Sequence, residues 1–473
     1  MKKFTKILLI GCLLVMVSCN NWLDVDPKSQ VKDKDLFASE MGFKEALSGV
    51  YSLMTKEGLY GKELTFGWLG VLGQEWTSVP YNYEDDQKYD FENAASEVRI
   101  DSVWTGLYNA IANANKLLKE LEGKENLFSG DNYSIIKGEV LALRAYLHFD
   151  LLRIFGASCT VGMERIAIPY VTEYAPTIFP QEKVGDFVGK VLNDLQDAAK
   201  CLENDPILTG RTVSEIDDNG YLMNRQVHLN YYAVKGLMAR VYLYKGDYAN
   251  AEVCAKEVIG SGCFEWVKQE NLTNESVADL TFSTEHLFAL NIVTLGNIVD
   301  KYLDGGNNSF ALEESRLSEY YGSSYDYRYL YLFKTGVGMS NTLRYLKKYD
   351  QLESVSWAQS YRNKLPLICL PEMYYILAEC RYHSSGDVLE PLNEVCRHRG
   401  VADLSEADLS AFETLLLAEY RKEVIGGGQL FFQYKRLNRS VVPGTDVDLA
   451  GEGRYVIPMP KEELENPGWV SNQ

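Results

Sequence analysis

Along much of this chain apolar residues return every three or four positions, the period of a helix with one dry face rather than of a strand. Between Asp101 and Leu121 the dry face is Trp104, Leu107, Ile111, Ala114 and Leu118, with Asp101 placed to cap the N-terminus. Ile136, Val140, Leu143, Leu147, Leu151 and Ile154 predict a second helix that stops at Gly156. Val184, Phe187, Val191, Leu195, Ala198 and Leu202 predict a third, ending in the acidic turn before Pro206. From His228 to Gly260 the pattern is paired: Ala233, Leu237 and Val241, a break at Gly246-Asp247, then Ala251, Cys254 and Val258.

That helix-turn-helix has about the length of a tetratricopeptide repeat, ~34 residues. Met373 to Gly400 reads as another copy, with Ile376, Leu377 and Cys380 before Ser384-Ser385-Gly386-Asp387, then Leu389, Leu392 and Val395. Such pairs bury their apolar faces only by stacking on one another. A helix over Leu409 to Ile425 closes the array against Gly426-Gly427-Gly428. The expected fold is therefore mainly α, built of tetratricopeptide-like hairpins. Residues 56 to 100 and 266 to 360 lack sustained period and concentrate aromatics, Gly and Asn, so they are expected to be long loops with a few short strands, the kind of excursion that carries function on a rigid scaffold.

The first segment has a separate logic. Lys2, Lys3 and Lys6 precede the apolar run Ile7 to Val17, too short to span a bilayer core of ~30 Å as a helix, so residues 1 to 18 read as an export signal. It ends Met16-Val17-Ser18-Cys19, similar to the bacterial lipobox, although Met16 stands where Leu is usual. Cys19 is then expected to become the acylated first residue of the mature protein, and several acyl chains hold a body stably on a membrane. Residues 19 to 35 are polar with a Pro and read as tether and strap, leaving 36 to 473 as one domain.

Composition narrows the function. Lys+Arg 47 against Asp+Glu 66 gives a net charge of −19, and no basic run follows the signal, which excludes a nucleic-acid partner. Nine Cys, less Cys12 and Cys19, leave an odd seven without C-x-x-C spacing, so a disulfide scaffold is not expected. Catalytic signatures are missing: no phosphate loop, no G-x-S-x-G elbow, no H-E-x-x-H helix. His148, His228, His286, His383 and His398 form no i, i+4 pair, and Gly336-Val337-Gly338 reads as a turn. Asp85-Asp86 and Asp217-Asp218 read as solvated acids. Asp446-Val447-Asp448 with Gly451 imitates a calcium loop without its closing acid, so no metal and no cofactor are expected.

The chain resembles the SusD/RagB family of nutrient-binding outer-membrane lipoproteins. The resemblance is carried by Cys19 with Trp22-Leu23-Asp24 and Pro27; by Trp104, Tyr108 and Asn115; by Glu139, Ala142, Arg144 and Ala145; and by Leu237 to Leu243 before Gly246-Asp247-Tyr248 and Ala251. It continues through Leu377-Ala378-Glu379-Cys380, then Asn393, Arg397 and Arg399-Gly400, then Arg421-Lys422-Glu423, to Ile457-Pro458, Pro460 and Asn466-Pro467-Gly468. Members usually have a Glu between two Gly and an Asp soon after, where this chain has Gly428-Gln429 and Gln433. The resemblance implies a SusD-like fold, a place on the extracellular face of the outer membrane, and partnership with a SusC-like, TonB-dependent β-barrel transporter. It does not carry starch specificity across.

The surplus of 32 Tyr concentrates in the loops. Sugars present flat C–H faces ringed by hydroxyls, so a glycan site needs rigid rings with amides and acids between them. Trp76, Tyr81, Asn82 and Tyr83 in one loop, and Tyr302, Tyr320, Tyr321, Tyr325 and Tyr327 in the other, are the candidate ligand-binding residues. Trp76, Tyr81 and Tyr83 are expected to be exposed because polar residues surround them, and Trp68 to lie in the core. The expected function is non-enzymatic capture of an oligosaccharide for a transporter. The alternatives are a peptide ligand, a helical glycan-degrading enzyme with paired carboxylates, and a scaffold for protein partners.

Overall fold

A computed structural model describes residues 34–214, 220–274, 277–306, 308–336, 342–351 and 361–472. The export signal, Cys19 and the tether up to residue 33 lie outside the described residues, as do Asp217-Asp218 and most of the Gly336-Val337-Gly338 turn.

The helices form as the apolar period requires. α1 (Glu40–Met54) is followed by α2 (Ala94–Leu121), α3 (Asn132–Phe155), α4 (Val184–Cys201), α5 (Tyr231–Lys245) and α6 (Tyr248–Ile259). Each packs on the next, so the chain lays down an antiparallel stack. α4 shows the simplest case, with Val184, Phe187, Val191, Leu195 and Ala198 buried along one stripe. Between α5 and α6 the chain turns at Gly246, whose φ of +81° suits a residue without Cβ, and Asp247 caps α6 through Asn250 N–H.

α2 begins earlier than its period suggests. Asn93, not Asp101, is its cap: Asn93 Oδ1 accepts the N–H groups of Ala95 and Ser96 at 3.0 Å each. Asp101 stands inside the helix on its wet face.

Residues 266 to 360 are more structured than a loop reading implies. β1 (His286–Asn291) is followed by α7 (Leu295–Tyr302), β2 (Leu312–Glu313), α8 (Glu314–Tyr321), β3 (Phe333–Thr335), β4 (Leu343–Leu346) and then β5 (Lys364–Cys369). β1 pairs antiparallel with β5, and β2, β4 and β3 form a small antiparallel sheet with β4 in the middle. Helices of two turns are too short to declare a period, so the sequence read them as irregular. α9 (Leu370–His383) then packs on α6, α10 (Leu389–His398) on α9, and α11 (Phe412–Val424) and α12 (Leu430–Arg436) complete the stack.

α3 is buried on almost every side, and its buried charged residues each bond to a neighbouring element. Arg144 grips Asp194 of α4 with two bonds of 2.7 Å. Glu139 accepts from Arg225 Nη1 at 2.7 Å, from Tyr51 OH at 3.0 Å, and meets His228 Nδ1 at 2.8 Å. Arg240 of α5 binds Glu372 of α9 with two bonds of 2.6 Å, and Arg436 of α12 binds Glu379 of α9 at 2.6 and 2.7 Å. One contiguous apolar core runs from Phe37 to Met459 around these pairs. All seven cysteines of the described residues are free thiols. No helix among the described residues is long and apolar enough to cross a membrane.

Candidate functional site

The two aromatic loops, far apart in sequence, are brought together by the backbone. Thr77 and Ser78 both donate their N–H to Ala311 O at 3.0 Å, and Ala311 N–H returns a bond of 3.0 Å to Ser78 O. Glu313 N–H donates to Thr77 Oγ1 at 2.7 Å beside them. The segment carrying Tyr81 is thereby fixed against the segment that leads into α8 and the short helix Tyr327–Tyr331.

The candidate residues divide by where their rings go. Tyr81 is 88% exposed and Tyr325 75%, and Asn82 is exposed as well. Tyr320 and Tyr327 are half-buried. Trp76 and Tyr83, expected at the surface, are only 2% and 1% exposed. The Trp76 indole N–H donates to Phe66 O at 2.7 Å and its ring packs on Phe310. Tyr83 donates to Glu63 Oε1 at 2.8 Å and is covered by the Arg99 guanidinium, 3.9 Å from the ring centroid. Polar neighbours in sequence do not expose a ring when distant partners lie beneath it. Tyr302 donates to Glu57 Oε2 at 2.7 Å and Tyr321 to Lys422 O at 3.0 Å, so both serve as buried supports. Trp68 is in the core, as expected, with its N–H on Asp86 Oδ1 at 3.0 Å.

The floor beneath Tyr81 and Asn82 is charged. Asp86 accepts from Trp68, Ser96 and Arg99. Burial nevertheless pushes its carboxyl up to about 6, with Arg99 acting against that rise. Arg99 Nη2 also donates to Asn82 O at 3.1 Å, which fixes the backbone under the exposed pair. Glu75 is fully buried next door. Its Oε2 accepts Gly426 N–H at 2.7 Å, and burial pushes its carboxyl up to about 7 against that bond and the charges of Arg421 and Lys348.

Arg421 joins the two loops, a position that periodicity could not assign. Its guanidinium lies 4.2 Å from the Tyr320 ring centroid while Nη1 donates to Gln74 O at 2.9 Å, tying α11 to both loops at once. Its only sequence signal was the Arg421-Lys422-Glu423 run. The glutamines that replace the family's acids are engaged as well: Gln429 Oε1 accepts from Arg153 at 2.9 Å and Gln433 Oε1 from Arg436 Nη2 at 2.8 Å. A further ring group, Trp104, Tyr108, Phe179 and Trp469, lines an open groove of about 480 Å³ that the sequence did not single out.

The arrangement offers a ligand surfaces for contact. The rings at the surface are held on a rigid base, and flat rings lose little entropy when they bind. His148 and His286 are buried, their imidazoles lowered by burial to about 3 and about 4. Val171 N–H donates to His148 Nε2 at 2.9 Å, leaving Nδ1 to donate to Arg144 O. Asp448 spends Oδ1 on Gly451 N–H at 2.8 Å. No group of three or more His, Cys, Asp and Glu among the described residues could hold a metal ion.

Residues 21–243 match the model of a SusD-like family described as starch-binding and associating with the outer membrane. Over those residues, a little under half of its length, the chain is similar to the SusD-like family. Among its relatives, SusD-like protein P38 of Formosa agariphila is 25% identical over 269 residues, 56% of this chain and 47% of that protein. SusD-like protein P25 of the same organism is 25% identical over 29% of this chain and 28% of the relative. The chain therefore matches about half the length of the first and under a third of the second. In fold it resembles a SusD superfamily protein from Bacteroides thetaiotaomicron over 92% of this chain and 100% of that one, with a TM-score of 0.74 at 21% identity. A SusD-like carbohydrate binding protein from Bacteroides vulgatus gives a TM-score of 0.66 at 18% identity, over 85% and 84% of the two chains.

Proposed function

We propose that this protein is a cell-surface binding lipoprotein that captures an oligosaccharide and passes it to a SusC-like, TonB-dependent transporter of the outer membrane. Acylated Cys19 tethers it to the outer face, and the ligand stacks on Tyr81 and Tyr325, with Asn82, Tyr320 and Tyr327 beside them. Trp76, Tyr83, Tyr302 and Tyr321 act below as supports. The ligand is bound without bond cleavage.

One observation carries this reading: the bonds between Ser78 and Ala311 join the two tyrosine-rich loops, and each loop turns a ring out to water, Tyr81 at 88% and Tyr325 at 75% exposure. An exposed tyrosine on a fixed backbone is a ready stacking platform for a pyranose face. Similarity of residues 21–243 to a family described as starch-binding supports a saccharide over a peptide.

A glycan array followed by calorimetry tests it, with purified full chain in detergent. At least one oligosaccharide binds, and Tyr81→Ala and Tyr325→Ala each weaken it by roughly three- to tenfold, the worth of one aromatic contact. Unchanged affinity in both variants refutes the site. Binding of extended peptides but of no glycan refutes the ligand class, and detectable product from any glycan refutes non-reactive capture. The tether is tested by mass spectrometry of the membrane-extracted protein, which finds acyl chains on Cys19 or overturns the anchor.

A further inference from the structure

Between the turn that follows α3 and the loop that follows α12 lies a cavity of about 420 Å³. Two of its lining side chains are buried and short of partners. Ser158 is 3% exposed, and its hydroxyl has no hydrogen-bond partner among the described residues. Lys435 is 1% exposed, and the acceptor seen for its ammonium among the described residues is Ile154 O at 3.1 Å, one bond for a group with three donors. A buried hydroxyl and a buried cation left underbonded on one cavity ask for an acceptor between them.

The rest of the lining points to the same chemistry. In a protein of net charge −19, this cavity is lined by Lys435 and the exposed guanidiniums of Arg165 and Arg454, against the single carboxylate of Glu452. Glu452 lies 3.4 Å from Arg454 Nε, so part of its charge is already spent. Burial, with Arg153 nearby, lowers the Lys435 ammonium well below its usual value, a cost that a neighbouring anion relieves. Phe91 and Tyr455 add ring surface to the wall, and Tyr455 OH is spent on Arg439 O at 2.7 Å. The volume falls within the range of small-molecule sites, roughly 300 to 1,000 Å³, and is larger than a bare oxyanion fills.

We propose that this cavity is a second ligand site, separate from the tyrosine loops, for an acidic sugar unit whose carboxylate or sulfate sits against Ser158 Oγ and Lys435 Nζ. The sugar part of this assignment rests on the capture reading; the anionic part rests on the cavity alone.

Calorimetry on the purified full chain, with glucuronate, glucose 6-sulfate, glucose and inorganic sulfate as probes, separates the parts. One or both acidic sugars bind, and glucose binds at least roughly tenfold more weakly. Glucuronate alone names a carboxylate site and the 6-sulfate alone a sulfated one. Lys435→Met weakens the acidic sugar roughly tenfold or more, and Ser158→Ala by a few fold. Should Lys435→Met not fold, Ser158→Ala and Arg454→Gln decide the matter, since one alters a single oxygen and the other an exposed side chain. Glucose binding as tightly as glucuronate, or Ser158→Ala and Arg454→Gln both binding like the native chain, overturns the proposal. Inorganic sulfate binding as tightly as either acidic sugar overturns its sugar part. A chain that binds glucuronate through Ser158 and Lys435 but no neutral oligosaccharide refutes capture at the tyrosine loops while this site stands.

Discussion

Replacing Glu75 by Gln tests the electrostatics beneath the tyrosine loops. The Glu75 carboxyl is fully buried, Oε2 accepts Gly426 N–H at 2.7 Å, and Oε1 has no partner among the described residues. Burial raises it from 4.5 to about 7. The folded state therefore binds more protons than the unfolded chain between those values, and stability falls as pH rises from 4.5 to 7. At ~1.4 kcal/mol per pKa unit, the ionised group costs up to about 3 kcal/mol at pH 8, an upper limit. Gln keeps an oxygen for Gly426 and stays neutral throughout. Its amide also needs an acceptor, but that cost of ~1 kcal/mol is independent of pH. The assay is urea unfolding of both proteins by circular dichroism at pH 4.5, 6 and 8. The stability of Glu75→Gln relative to native should rise by about 2 to 3 kcal/mol from the lowest to the highest pH. A difference that stays flat across this window, or that shrinks as pH rises, refutes the reasoning.

Two further variants probe the scaffold. Arg240→Met leaves Glu372 buried without its two bonds of 2.6 Å and should cost about 3 to 5 kcal/mol in urea unfolding, while Arg240→Met with Glu372→Met recovers most of it; equal losses would count against a buried pair. Gly400→Ala places a Cβ 2.4 Å from Tyr327 Cε1 at a φ of +70°, so it should lose about 1 to 3 kcal/mol and alter the near-ultraviolet signal of the tyrosines, and a variant indistinguishable from native in both would show that Tyr327 is free to move.

The sequence was most legible where burial is one-sided. α4 alternates wet and dry positions at helical period, so its range could be read almost to the residue. α3 was found through the apolar recurrence from Ile136 to Ile154 and its Gly156 stop, although its surroundings are dry nearly all round rather than on one face. The start of α2 was missed because its cap lies in Asn93-Ala94-Ala95, where no apolar stripe has yet begun, while Asp101 offered a plausible cap to a pattern counted from Trp104. The exposure of rings was least legible. Trp76 and Tyr81 stand among similar polar neighbours, yet one reaches Phe66 O and the Phe310 ring while the other is 88% exposed, with no partner for its ring seen among the described residues. That difference is set by partners distant along the chain, which no local window contains.

Most of the charged residues that carry the family resemblance are buried, unlike the rings that face water, although Arg397 of the same resemblance is exposed. Glu139, Arg144, Arg240, Glu379, Arg399 and Glu423 all lie in buried ion pairs between packed elements, where Arg399 alone spans Glu285 at 2.5 Å and Glu423 at 2.7 Å. Removing one partner of such a pair is strongly destabilising, by about 3 to 5 kcal/mol, so these positions constrain the stack and its register. Tyr81 and Tyr325 pack against little and can change at small cost to stability, within about 0.5 kcal/mol for ordinary surface positions. A resemblance written in the first set therefore speaks for the scaffold and says little about which ligand meets the second. Ligand identity must be read from the exposed rings and their cavities, by measurement on this chain.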